Sequence, residues 1–411
     1  MKTYYGWTIV AIGLVVLALS VGASIQAYGL FVLPVSAEFG LSRAEMNTGA
    51  ILLNVGMAIA APIAGRIFDR GSGRWLMGSS ALLFGASMVT LALSGNLWLS
   101  GAVLLAPLAF AVVGCGTLTS TALVARWFTV LRGRAMAIAT IGVSLGPVLV
   151  APIVALLIEW LGWRQTLAVL GVAVGGLVVL LALLVRDRPG ADDIEPGAAA
   201  AADPAVEAIP ARALGIGELL RMPAFWTIAT AGSIAFAIIT VVIVSLVPFA
   251  QGEGLGAGEA ASMMSAYGGA AIAGSLLFAW LADRLDRVWV FTGSCFLLGL
   301  ASAALPLSSS FAWLFGCTAV VGLAGGAVTP GSLALIADRF GAASFGVAAG
   351  AANLMSTAFC AIGLRYAGEM YDRTGSYRFT FFSFLLFGAI SAALALATKA
   401  TGRPAAVAAV A

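Results

Sequence analysis

Twelve apolar runs, each long enough to cross a lipid bilayer, fill most of this chain and leave little room for any other fold. A membrane helix needs about 20 predominantly apolar residues. The runs extend from Tyr5 to Phe31, Ala44 to Ile67, Trp75 to Leu97, Ser100 to Trp127, Ala135 to Trp160 and Gln165 to Val185. After a polar break they resume from Ala224 to Phe249, Ala260 to Leu281, Val288 to Leu307, Ala312 to Ala337, Phe345 to Met370 and Phe379 to Thr398. Of the 411 residues, 61% are hydrophobic and only 9% charged. A soluble domain carries about 25% charged residues, so this chain cannot cover a water-facing surface. The predicted class is all-α and integral to a membrane. Lys2 and the run from Trp7 to Leu19 have the make-up of a cleavable leader. That run also fits the charge pattern of the eleven that follow, and it is read as the first span.

Positive charge gives the runs a direction. With the N-terminus in the cytoplasm, the inner segments carry Lys2, Arg66, Arg70, Arg74, Arg126, Arg132, Arg134, Arg186, Arg188, Arg212, Arg221, Arg284, Arg287, Arg339, Lys399 and Arg403. The outer segments carry Arg43, Arg164, Arg373 and Arg378, and Arg365 falls within a run. Sixteen against four is a strong positive-inside bias. Both termini are then expected to be cytoplasmic, as an even number of spans requires. The polar break contains DRPGADDIEPGAAAAADP, rich in Ala, Pro and acids and without apolar periodicity. It reads as a flexible linker, with a short surface helix expected from Leu214 to Arg221. The expected division is a six-span bundle over 1–186, a cytoplasmic linker over 187–222 and a second six-span bundle over 223–411.

The two halves resemble each other at constant register. Adding 214 carries Pro34 to Pro248, Gly40 to Gly254, Leu41 to Leu255, Glu45 to Glu259, Asp69 to Asp283, Arg70 to Arg284 and Trp75 to Trp289. Duplicated six-helix units of this kind bind solute near the bilayer midplane.

Several function classes are excluded. The chain has no histidine, so neither a Ser-His-Asp nor a Cys-His site can form, and the commonest metal ligand is missing. Cys115, Cys295, Cys317 and Cys360 each stand alone in an apolar run and read as small packing residues. No phosphate-binding GxxxxGK[ST] loop is present, and the net charge of +3 is too small to point to nucleic acid. No cofactor, metal or enzymatic activity is expected.

The second span ends in GRIFDRGSGRW, from Gly65 to Trp75. This resembles the loop motif of the major facilitator superfamily, Gly-x-x-x-Asp-Arg followed by Gly and Arg, with the spacing to the last Arg slightly varied. The second half keeps Asp283, Arg284 and Arg287 in FAWLADRLDR. Within that superfamily, YYGWTIV, YGLFVLPVSAEFGLSRAE, ARWFTVLRGRAMAIA, GWRQTLAVL, RMPAFW and GEMYDRTGSYRFTFF resemble the bacterial monocarboxylate and oxalate–formate transporter branch. The resemblance implies two pseudo-symmetric six-helix bundles that rock about a central site. It also implies that Asp69, Arg70, Arg74, Arg134, Asp283 and Arg284 gate the cytoplasmic side. Plain positive-inside anchoring is the alternative for the basic members of that set.

One departure stands out. The branch usually carries an arginine in the eighth span that pairs with the substrate carboxylate, and here that place is Ser275. No run has a carboxylate near its centre, and Glu159 and Glu369 lie toward outer ends. The fifth span reads GVSLGPVLVAP. Its Gly142, Gly146 and Pro147 match part of a pattern common in exporters of the superfamily, but Val150 and Ala151 replace the closing Gly pair. Close helix packing accounts for the same residues.

Polar side chains inside apolar runs are penalised by lipid and so are candidates for solute contact. They are Gln26 and Tyr28 in the first span, Asn54 in the second, Thr117, Thr119 and Ser120 in the fourth, Ser233 and Thr240 in the seventh, Tyr267 and Ser275 in the eighth, Thr329 and Ser332 beside Pro330 in the tenth, and Asn353, Ser356 and Arg365 in the eleventh. For each Ser or Thr the alternative is a bond to its own helix backbone. For Arg365 two readings stand open, an anion partner and a side chain reaching to the outer interface. The expected function is secondary active transport of a small, monocarboxylate-like organic anion across the inner (cytoplasmic) membrane by alternating access. The other transport reading is export of an apolar or weakly charged compound. The expected partners are the small-molecule substrate and membrane lipid, with a monomeric chain and no nucleic acid.

Overall fold

A computed structural model describes residues 4–190, 193, 195–196 and 214–400. Most of the linker expected over 187–222, together with Lys2, Arg212 and Arg403, lies outside them. Among the described residues every regular element is helical.

The spans follow the apolar runs. In the first half they are Gly6–Phe39, Arg43–Arg70, Gly73–Leu93, Leu97–Trp127 and Arg132–Leu184. The last of these is 53 residues long, about 80 Å of helix, far more than the roughly 30 Å of hydrocarbon it has to cross. Gly162, at φ 78° and ψ 164°, breaks it into a fifth and a sixth span. In the second half the spans are Pro223–Gly252, Ala257–Ala282, Arg287–Leu307, Phe311–Gly341, Ala343–Thr374 and Arg378–Ala397. Gly341, at φ 71°, turns the chain between the tenth and the eleventh. Among the described residues the count is twelve. Ahead of the seventh span lies a short helix, Ile216–Leu220.

Hydropathy alone ends the first span at Phe31, yet the helix runs on to Phe39. It stops where Gly40 takes φ 64°, and the Gly40 N–H closes the helix on the Ser36 carbonyl, a left-handed cap open to glycine at little strain. Two residues later Ser42 and Glu45 cap the second span reciprocally, Glu45 accepting the Ser42 N–H at 2.8 Å and Ser42 Oγ the Glu45 N–H at 3.2 Å.

Two compact units emerge, one comprising Met1–Leu41 with Gly49–Val206 and the other Ser42–Thr48 with Glu207–Ala411. The second unit thus holds the first turns of the second span. There the Asp372 carboxylate accepts the N–H groups of Arg43 at 2.8 Å and Ala44 at 3.0 Å, and Asn47 donates to the Leu364 carbonyl at 2.8 Å.

Within the first unit the first span is the most deeply buried, with Val16 and Leu17 closed to solvent. It crosses the fifth span backbone to backbone. A methyl group on Gly146 would lie 2.8 Å from Gly22 Cα, so glycine is required on both helices. The exporter-like Gly146 therefore serves packing. Three stretches of this unit are wound as π helix, Gly22–Gln26, Leu104–Leu108 and Val112–Thr117. Such turns insert one residue into the α ladder and recur at functional sites.

The arginine-rich end of the first unit is tied by long-range bonds. Tyr5 donates to the Leu184 carbonyl at 2.6 Å, and Trp127 Nε1 to the Arg186 carbonyl at 2.8 Å. Arg126 donates to the Phe68 carbonyl at 3.0 Å and lies over the Phe68 ring. At the opposite end Arg164 joins three segments, binding Glu38 at 2.7 Å and the carbonyls of Ala92 and Ser94 at 2.8 and 2.9 Å. The second unit repeats the ion pair with Arg378 and Glu253 at 3.0 Å. Trp75, Trp98, Trp160, Trp280 and Trp289 stand exposed near span ends, where indoles anchor helices at the membrane–water interface.

Candidate solute path

In the first unit the polar candidates sit on the first, second and fourth spans. Gln26 closes the π turn of the first span and is 8% exposed. Its Oε1 is buried and has no hydrogen-bond partner among the described residues. An unpartnered buried acceptor costs about 1–3 kcal/mol. Just beyond, the Tyr28 hydroxyl meets the second-span backbone at Gly49 and Ala50. Asn54 Nδ2 donates to the Ala50 carbonyl at 2.8 Å, so Tyr28 and Asn54 converge on one turn. Ser120 is 1% exposed, and its hydroxyl also lacks a partner among the described residues. It faces the first span, its Cβ 3.4 Å from where a methyl on Gly13 would lie. Thr117 is the last residue of the Val112–Thr117 π turn and is half-buried.

In the second unit the seventh and eleventh spans are stitched by polar contacts. Ser233 and Ser356 share a hydrogen bond of 3.0 Å, and Thr240 lies 3.4 Å from Cys360 Sγ while donating to the Phe236 carbonyl. The eighth span faces the tenth. Tyr267 is 6% exposed with its hydroxyl near Gly325, and Ser275 donates to the Gly326 carbonyl at 2.7 Å. Ser275 therefore clamps two helices at the position where the resembled branch carries its arginine. Asn353 is exposed. Arg365 is 54% exposed and pairs with Glu369 at 2.7 Å, four residues along its own helix.

The gating candidates stand at the arginine-rich ends. Asp69, Arg70, Arg74, Arg134, Asp283 and Arg284 are all exposed. Among the described residues Asp69 makes no hydrogen bond or ion pair, whereas Arg284 lies over the Trp280 ring, 4.0 Å from its centroid. The Arg74 N–H is taken by Asp187 at 2.9 Å. Composition passes over Asp187, Glu195, Asn47 and Asp372, because each lies outside an apolar run or at its edge, and each acts on a partner far away in sequence. No group of three or more metal-ligating side chains forms among the described residues.

Known proteins agree with this frame. The sequence profile of the Major Facilitator Superfamily matches residues 10–364 and, again, 242–410. Monocarboxylate transporter 12-B of Danio rerio is 27% identical over 92% of this chain and 83% of its own length. The uncharacterized MFS-type transporter YcxA of Bacillus subtilis is 24% identical over 93% of this chain and 92% of its own. Among solved structures, a bacterial homologue of the human lysosomal transporter Spinster, inward-facing and unoccupied, superposes with a TM-score of 0.75 over 98% of each chain at 17% identity. That likeness is one of fold. The profile spans nearly the whole sequence, and this multi-pass membrane transporter belongs to the major facilitator superfamily.

Proposed function

We propose that the protein is a secondary transporter carrying a small organic acid of the monocarboxylate kind across the inner (cytoplasmic) membrane, with both termini and both arginine-rich ends in the cytoplasm. The observation that carries this reading is Gln26, held at 8% exposure beside a π turn with its amide oxygen unpartnered among the described residues. A membrane helix retains such a group where a passing solute supplies the missing bond. Tyr28 and Asn54 extend the polar set on the same unit, and the other unit carries a buried tyrosine of its own, Tyr267. The names of the relatives supply the solute class. The Asp69 and Asp283 loops act as gates, forming contacts in one state and releasing them in the other. A solute or proton gradient drives the cycle.

Uptake of labelled lactate, formate and oxalate into proteoliposomes tests the reading. Saturable uptake of at least one acid is expected, reduced by Gln26→Leu. A second reading, export of an apolar or weakly charged compound, is favoured by Ser275, bonded to the Gly326 carbonyl, and by Arg365, engaged with Glu369. Absence of acid uptake together with raised drug tolerance in expressing cells would transfer the assignment to export.

A further inference from the structure

Each half brings the chain leaving its last span back to the start of its third. In the second half Lys399, just past the twelfth span, pairs with Asp286 at 2.7 Å. Asp286 in turn caps the ninth span by accepting the Val288 N–H at 2.8 Å. In the first half the residue at the same register is Ser72, which caps the third span through the Trp75 N–H. It donates to Asp187, two residues past Val185. Asp187 also accepts the Arg74 N–H at 2.9 Å. The acid changes place: it sits on the cap in the second half and on the departing chain in the first, where its cap partner is the neutral Ser72.

The first half goes further. Gly190 and Asp193 bond reciprocally, Gly190 N–H to Asp193 Oδ2 at 3.0 Å and Asp193 N–H to the Gly190 carbonyl at 3.1 Å. Glu195 lies against the loop before the fifth span. Glu195 Oε2 accepts the Thr129 N–H at 2.8 Å and the Thr129 hydroxyl at 2.7 Å. Its Oε1 accepts the N–H groups of Val130 at 3.0 Å and Leu131 at 2.7 Å. Only 7% of Glu195 is exposed. Backbone N–H groups at a helix start have no intrahelical partner, and negative charge there is favoured by the helix dipole. Burial by itself would raise the Glu195 carboxyl, but the Leu131, Thr129 and Val130 bonds outweigh it and hold it at about 2.

We propose that Asp187, Gly190, Asp193 and Glu195 form a clasp that fixes the loops before the third and fifth spans as one body, with Asp187 and Glu195 as positioning residues for the gating arginines those loops carry. Arg70 and Arg74 flank one clasped loop, and Arg132 and Arg134 begin the helix after the other. Neither acid belongs to the solute path, so the clasp acts on the rate of the conformational step and leaves solute binding alone. Only that rate effect rests on the transport reading, whereas the clasp itself is a contact that exchange measurements read directly.

Hydrogen exchange on the full-length protein in lipid nanodiscs provides the test. In wild type the amides of residues 129–131 and of Arg74 exchange slowly. Glu195→Gln is expected to speed exchange at 129–131 by at least about tenfold, leaving the interior of the fifth span unchanged, and Asp187→Asn is expected to do the same at Arg74. Unaltered exchange in both variants overturns the clasp. In uptake assays Glu195→Gln is expected to lower the maximal rate several-fold at constant KM, with partial recovery in Glu195→Asp. An unchanged maximal rate, or a change in KM alone, overturns the positioning role. Should Glu195→Gln fail to fold, wild type still decides, because the clasp keeps the Arg186–Asp187 bond resistant to trypsin and ready cleavage there overturns it.

Discussion

The first half winds its first and fourth spans through three π turns, whereas the described residues of the seventh and tenth spans in the second half form unbroken α-helix. The ends of the halves agree far better than their middles. Gly40 and Gly254 both take positive φ, at 64° and 96°. Glu45 and Glu259 both reach back to cap their helices, and Arg164 and Arg378 both pair with an acid that closes the first helix of their half. In the interior, Gly22 and Gly146 of the first half correspond by register to Phe236 and Cys360 of the second. Turns and caps tolerate few side chains, so a duplicated unit keeps them. Span interiors answer to packing and to solute, and there the halves have taken separate solutions.

The helix crossings offer the largest expected contrast. Gly146→Leu forces a side chain against the Gly22 backbone and is expected to destabilise the protein by about 3 kcal/mol. Cys360→Leu, at the corresponding place, is expected to cost clearly less. Thermal unfolding of both variants in one detergent measures the difference, and equal losses would dissolve the contrast.

The arginine pairs come next. Arg164→Ala removes bonds to Glu38, Ala92 and Ser94 together and is expected to cost about 2 kcal/mol. Arg378→Ala loses only the bonds to Glu253 and, being exposed, is expected to cost clearly less. A larger loss at Arg378 would reverse the ranking.

The proposed gates are expected to behave alike. Asp69→Asn and Asp283→Asn should each slow transport about tenfold, the scale of a 1–2 kcal/mol change in state preference, with melting temperature unaltered because both acids are exposed. Full flux in either variant removes that half from the gate.

The smallest effect is at the caps of the third and ninth spans, at the arginine-rich ends. Lys399→Ala is expected to cost about 0.5 kcal/mol. Lys399 and the Val288 N–H hold the Asp286 carboxyl below the usual carboxylate range, against its partial burial. A depressed carboxyl stabilises the fold above its unfolded-state value, and that contribution fades as pH falls through the native one. Removing Lys399 therefore lessens the stability lost on acidification. Glu195, at about 2, keeps its contribution on the first half until pH drops through the window between the usual carboxylate range and about 2. Acid titrations of unfolding in Lys399→Ala and Glu195→Gln separate the two halves.

The spans and their repeat could be read from the sequence because each rests on a local pattern, an apolar run or a fixed offset. Gly40 and Gly254 show how far that reaches, since the register pairs them and the backbone gives both the same unusual φ. Helix winding is less legible. Nothing in GASIQ announces a π turn, so which way Gln26 points could not be derived from its spacing. Ser275 read as a possible solute contact, yet its bond to the Gly326 carbonyl spans two helices. The clasp was hidden by composition: Asp187 and Glu195 lie in an Ala-, Pro- and acid-rich stretch, and their partners stand far back along the chain.

Winding at Gly22–Gln26 also governs what happens farther along the same helix. Each residue added to a helix advances it by 1.5 Å and rotates it by about 100°. Everything beyond the turn is therefore set in azimuth by that one inserted residue, Glu38 included. Deleting it would swing Glu38 by more than a quarter circle, away from Arg164. The buried amide and the distant ion pair are the two ends of a single shaft, and neither can turn without the other.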